Sequence, residues 1–227
     1  MAAMKGLAPQ TEQLFERISA LVCIKPFVLV GGTALALQLG TRLSEDLDFM
    51  KWRTSKEEKL EVNWPAIKKE LESIGTIENM NLMDFDHVEF IVDGVKLSFY
   101  AANRYAPPMQ PILVLNHLRI ADVKAIGIMK MEVMLRRATF RDYYDIYSIL
   151  QSGEDLAGMM QMALEHSSHR LKSKQLIAML TNGMRFNRDA RFEQLSPIYD
   201  VTALQIEEYI KRLLKSSQFP HEGLSDK

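Results

Sequence analysis

The stretch that most limits the folds open to this chain is Val28–Met50, VLVGGTALALQLGTRLSEDLDFM. The apolar run Phe27–Val30 stops at Gly31-Gly32-Thr33, and a short apolar helix is expected over Ala34–Leu39, with Gly40 as its stop. Ser44-Glu45-Asp46-Leu47-Asp48-Phe49 then reads as a second strand. Strand side chains alternate faces, so Asp46 and Asp48 share one face with Cα atoms about 6–7 Å apart, while Leu47 and Phe49 turn into a core. Glycines let backbone N–H groups approach an anion closely, and the helix start behind them adds a positive dipole end. Two carboxylates beside such a cradle suit a magnesium ion that also carries phosphate oxygens. Taken singly, each part has a plainer use: a Gly-Gly pair as a turn, an Asp-x-Asp as solvated surface. Their order and spacing together give the pattern its force.

Size and composition narrow the rest. The chain has 227 residues, 47% hydrophobic and 25% charged, with a net charge of −1. That is enough for an α/β core plus a helical extension, and it gives no global pull toward nucleic acid or membranes. Any nucleotide or RNA binding must rest on local basic groups. A single cysteine, Cys23, excludes a disulfide within the chain and reads as a core residue. The start, MAAMKGLAPQ, lacks the apolar segment of a secretory signal, and Lys25-Pro26 interrupts the best membrane-span candidate. The expected location is the cytoplasm.

Along the chain, helices are expected over Thr11–Cys23 and Ser55–Ile74, the latter with Lys56, Lys59, Lys68 and Lys69 on a solvated face. Glu78–Ala101 reads as sheet, with Val88–Val92 and Val95–Phe99 joined by Asp93-Gly94, a type I′ hairpin signal. Arg42, four residues before Asp46, either neutralises a phosphate or pairs with Glu45 or Asp46. Pro107, Pro108 and Pro111 mark a seam, so the division expected is an α/β core over 1–111 and a helical part over 112–227.

The helical part opens on IADVKAIGIMKMEVMLRR, Ile120–Arg137, apolar almost all round and therefore buried. Lys130 sits in its midst, and either its head snorkels out or it has a charged partner. The next helix, Phe140–Gln151, carries Asp142 and Asp145 on one side; Thr139-x-x-Asp142 also suits a helix cap. Further helices are expected over Leu156–His166, Lys172–Leu180 and Ala203–Leu214. His166 and His169 lack the neighbours of a zinc site, and 220–227 reads as a frayed tail.

Two blocks together carry a resemblance. Gly31-Gly32-Thr33, twelve residues, then Asp46-x-Asp48 resembles the signature of the DNA polymerase beta-like nucleotidyltransferase superfamily. GGTALALQLGTRLSEDLDF looks like its AbiEii/AbiGii toxin branch, which also has a lysine, five or six residues, an arginine, and then Arg-Asp-x-x-Asp. Here these are Lys130, Arg136 or Arg137, and Arg141-Asp142-Tyr143-Tyr144-Asp145.

The resemblance implies an α+β fold, a nucleotidyltransferase-type mixed sheet flanked by helices and followed by a helical bundle. It implies a Mg2+-dependent enzyme that moves a nucleoside monophosphate from a nucleoside triphosphate (NTP) to an acceptor hydroxyl, such as a tRNA end, with an antitoxin partner. In the implied site Asp46 and Asp48 hold metal and Gly31, Gly32, Thr33 and Arg42 hold the nucleotide. Lys130, Asp142 and Asp145 complete the catalytic set. The superfamily's third metal carboxylate has no counterpart: the slot falls on Ser98 or Lys96. Either Glu89 or Asp86 substitutes, or one magnesium suffices, or catalysis is lost and the fold serves as a binding module. A small-molecule nucleotidyltransferase of the antibiotic-modifying kind is the third reading.

Overall fold

The computed structural model describes residues 5–167, 170–188 and 190–216. His169 and the tail at 220–227 lie outside them. The described residues form two compact units. The first takes 5–126 and the return segment 193–199; the second takes the described residues of 127–192 and 200–216.

The first unit is built on a mixed seven-stranded sheet in the order β3-β4-β5-β2-β1-β7-β6. Its strands are β1 (Val28–Val30), β2 (Leu47–Trp52), β3 (Ile77–Asp84), β4 (His87–Val92), β5 (Val95–Ala102), β6 (Ile112–Leu115) and β7 (Leu118–Ile120). β2 runs antiparallel to β1 and parallel to β5; β1 runs parallel to β7. The helices here are α1 (Pro9–Ser19), α2 (Gly31–Leu39) and α3 (Trp64–Leu71), and α4 (Val123–Val133) runs on into the second unit. Because β6 and β7 pair onto the sheet, the chain leaves the first unit at 126/127, not at the prolines before residue 112. The prolines bend the chain between strands of one sheet.

Several elements begin where local chemistry dictates. Gly40 adopts φ 61° and its N–H donates to Ala36, ending α2 as expected. Asp93 and Gly94 adopt φ 45° and 78°, closing the β4–β5 hairpin. The helix expected from Ser55 starts only at Trp64. Asn63 caps it by accepting from the Ala66 N–H at 3.3 Å, Pro65 fits its first turn, and Thr54 turns onto the Glu58 carboxylate instead. α4 is shorter than expected at both ends, because Ile120 is in β7 and Asp122 caps by accepting from the Ala125 N–H at 2.9 Å. Behind β2, Leu47 and Phe49 enter the core; Phe49 stacks on Phe99 at 5.0 Å, and Phe99 also meets Phe27 and Phe90 edge-on. Each such buried ring contributes roughly 1.5–3 kcal/mol and fixes which face of β2 is left for the aspartates.

The second unit contains α5 (Phe140–Gln151), α6 (Leu156–His166), α7 (Ser173–Leu180) and α9 (Ala203–Ser216), with the short α8 (Ala190–Glu193) at the edge of the return segment. α5 is its centre, buried nearly all round. Tyr143 stacks on Phe186 at 4.2 Å and donates to the Leu180 carbonyl at 2.6 Å. Gly127 of α4 has no room for a side chain, since a Cβ there would lie 2.7 Å from Met159 Sδ.

Candidate active site

In the first unit the pair Asp46/Asp48 is placed by the loop before β2. Thr33, in the first turn of α2, donates its hydroxyl to the Asp46 carbonyl and lies 2.8 Å from the Ser44 hydroxyl. Thr11 of α1 donates to the Glu45 carbonyl at 2.6 Å. Backbone bonds from Ser44 N–H to Gly6 and from Ala8 N–H to Ser44 hold the loop from outside, both at 2.9 Å. The return segment closes it: Leu43 N–H donates to Leu195 at 2.7 Å and Ile198 N–H to Thr41 at 3.0 Å. Thr11 and Leu195 leave no sign of this role in the sequence, because bonds to backbone across long sequence separations carry no periodic signal.

The glycine turn is shaped around the same aspartates. Gly31 has φ 70°, and a Cβ on it would lie 3.0 Å from Asp48 Oδ2. A Cβ on Gly32 would lie 2.6 Å from Arg42 Nη2. Arg42 is buried, donating from Nη1 to the Leu43 carbonyl at 2.8 Å, so its guanidinium packs against the turn. Val30 precedes α2 with no polar side chain to cap it. Gly31, Gly32, Thr33, Arg42, Asp46 and Asp48 are therefore gathered around one strand–helix junction.

The sheet register sorts the alternatives for a further carboxylate. Asp48 pairs with Ser98 of β5, and Ser98 with Glu89 of β4, so the three lie in one row on one face. Lys96 shares that face, one residue beyond the Leu47–Leu97 pair and thus level with Asp46. Its ammonium binds Glu89 Oε1 at 2.7 Å. Desolvation acts to lower the Lys96 pKa, but the Glu89 hydrogen bond and charge, with Asp48 and Asp46 behind them, raise it overall. Asp86 sits in the β3–β4 turn, about 10 Å along the strand from the Glu89 row. The strand beside the aspartates therefore offers a hydroxyl and an ammonium. Among the described residues no three His, Cys, Asp or Glu side chains are grouped to hold a metal. Two carboxylates fit one hard cation whose other ligands are phosphate oxygens and water.

In the second unit Lys130 does not snorkel. It is 6% exposed, and its ammonium binds Asp142 Oδ1 at 2.8 Å and Asp145 Oδ2 at 2.6 Å. Arg137 adds Nε to Asp142 Oδ2 at 2.8 Å, and Thr139 donates its hydroxyl to the same oxygen at 2.5 Å. The Asp142 N–H donates back to the Thr139 hydroxyl at 3.3 Å, completing the cap expected there. Asp145 is fully buried rather than at the surface. Burial pushes the Asp142 carboxyl up, but the Lys130 charge and the bonds from Arg137, Lys130 and Thr139 outweigh it and hold it well below the usual carboxylate range. Two cations and two carboxylates thus leave the cluster neutral, which is what makes its burial tolerable.

A mixed sheet with an Asp-x-Asp strand beside a glycine turn that opens a helix is the architecture of a nucleotidyltransferase, and the protein is an enzyme of that class. The family model described as "Nucleotidyl transferase AbiEii toxin, Type IV TA system" matches residues 13–216, and the chain belongs to that family. Among curated proteins it is 24% identical over 220 residues to uncharacterized protein aq_aa25 of Aquifex aeolicus (strain VF5), covering 93% of this chain and 98% of that one. Among solved structures it resembles JHP933 from Helicobacter pylori, with a TM-score of 0.54 at 22% identity over 92% of this chain and 94% of that chain. MenT4, a nucleotidyltransferase toxin from Mycobacterium tuberculosis H37Rv, gives a TM-score of 0.56 at 15% identity, covering 92% and 85%. At these identities the two structures speak for the α+β fold. Among the described residues no helix is long and apolar enough to cross a membrane.

Proposed function

We propose that the protein transfers a nucleoside monophosphate from an NTP to an acceptor hydroxyl, with Mg2+ held by Asp46 and Asp48. The observation that carries this reading is the fit of Gly31 under the Asp48 carboxylate, which brings a metal ligand and a helix start to one point. Backbone N–H groups of Gly31, Gly32 and Thr33 would take phosphate oxygens at the positive end of α2. Arg42, packed on Gly32, would add charge there. Bound magnesium would neutralise the triphosphate and favour departure of pyrophosphate. The acceptor oxygen forms a bond to the α-phosphorus as the bond to the β-phosphate oxygen breaks; the hydroxyl proton goes to solvent and pyrophosphate leaves.

Lys130, Asp142 and Asp145 enter the proposal as a second set. The lysine serves the triphosphate or the charge that develops during transfer. The aspartates orient it, which their 2.8 and 2.6 Å contacts support. Family membership favours a separately encoded antitoxin; the proposed acceptor is an RNA, such as a tRNA end, and the proposed setting is the cytoplasm.

The test is magnesium-dependent pyrophosphate release with each NTP over a pool of RNAs, with aminoglycosides screened alongside. Release that needs RNA supports the reading; release that needs an aminoglycoside replaces the acceptor. Asp46→Asn and Asp48→Asn are each expected to lower turnover at least 100-fold, and wild-type rates in both would end the metal assignment.

A further inference from the structure

We propose that Lys96 is the second positive charge of the nucleotide site, so that Asp46 and Asp48 take a single divalent ion per bound NTP. The inference rests on the metal reading above and deepens it. Asp48 and Glu89 lie on this face of the sheet and Asp46 stands one residue before β2; Lys96 is close enough to feel the charge of all three and is bound to Glu89 at 2.7 Å. The row from Asp48 to Glu89 passes through Ser98, a neutral side chain. A second divalent ion between the aspartates and Glu89 would have to displace the ammonium from Glu89 and then sit beside it. Like charges at that range repel, and Ser98, between the two carboxylates of the row, offers no further negative charge to offset the cost.

Lys96 is also suited to its task in being tethered yet reachable: its side chain is 42% exposed while Glu89 fixes its direction. A lysine there is a compact point charge that needs no loading from solution.

The experiment counts Mn2+ bound per chain by electron paramagnetic resonance, with and without a non-hydrolysable NTP, alongside circular dichroism to verify folding. The wild-type chain with nucleotide is expected to bind one Mn2+, lost in Asp46→Asn. Lys96→Asp, which places a carboxylate level with Asp46, is expected to bind two. Lys96→Met, without nucleotide, is expected to bind its one Mn2+ about tenfold more tightly, because a like charge has been removed from beside the ligands. A purely structural lysine would leave that affinity unchanged, so no change in Lys96→Met overturns the proposal. Two Asp46-dependent ions in the wild type overturn it while leaving the metal assignment standing. A wild-type chain whose Mn2+ binding ignores Asp46 overturns both.

Discussion

Gly31 lies under Asp48: a methyl group in place of its α-hydrogen would come within 3.0 Å of Oδ2, at a backbone φ of 70° that L side chains avoid. Gly31→Ala therefore meets two penalties at once. The left-handed conformation costs about 1–2 kcal/mol, and the carboxylate must shift. We expect a denaturant midpoint lowered by that amount and a turnover loss of at least tenfold that stabilising conditions do not restore. A folded Gly31→Ala enzyme with full activity would show that the turn does not set the position of Asp48.

Lys130→Ala removes one side of a buried charge cluster. Asp142 and Asp145 then both lose the ammonium they share, and the cost is expected to be about 3–5 kcal/mol in urea unfolding. Since that loss alone lowers activity at 37 °C, Lys130→Ala should be assayed cold and its folded fraction measured first. Activity equal to wild type per folded molecule would remove Lys130 from the reaction and leave it a structural residue.

The low pKa of Asp142 fixes a direction for acid unfolding. A carboxyl depressed in the folded state gives stability that is fully present above its unfolded value of about 3.9 and is lost as pH falls through the folded value. The stability of the wild-type chain should thus fall steeply below about pH 4. Asp142→Asn should be less stable at neutral pH and show a flatter acid limb, read from melting temperatures across a pH series.

Cys23 is expected to be inert. Burial, and then the charge and hydrogen bond of Glu70, push its thiol up to about 12, far above a free thiol. Its alkylation by iodoacetamide at pH 8 should be at least 100-fold slower than that of glutathione. Glu70→Gln should speed it, because the negative charge beside the thiol disappears.

Much of this site was legible in the sequence because its parts are local. Gly31-Gly32, the Asp46/Asp48 spacing and the Thr139 cap each follow from rules that span a few residues, and the turn and helices they imply are where the structure has them, while β2 starts at Leu47 and leaves Asp46 just before it. The Asp93-Gly94 hairpin was readable for the same reason. The partners of Lys130 were not: a lysine amid methionines shows a cost, and only the packing of α4 on α5 shows what meets it. The seam at the prolines was misplaced because proline marks a bend without saying whether the chain then rejoins the same sheet. The true crossing point sits inside α4, where no composition change marks it.

The return of residues 193–199 to the first unit has a practical consequence for anyone wishing to dissect the protein. The chain crosses between its two units three times, and the last visit supplies the carbonyl and amide that finish the bend leading into β2. A fragment ending between β2 and Leu195 would keep both Asp46 and Asp48 in its sequence yet leave the bend that aims them missing a wall. Splitting this enzyme, or grafting its sheet onto another helical partner, must therefore carry that late heptapeptide along.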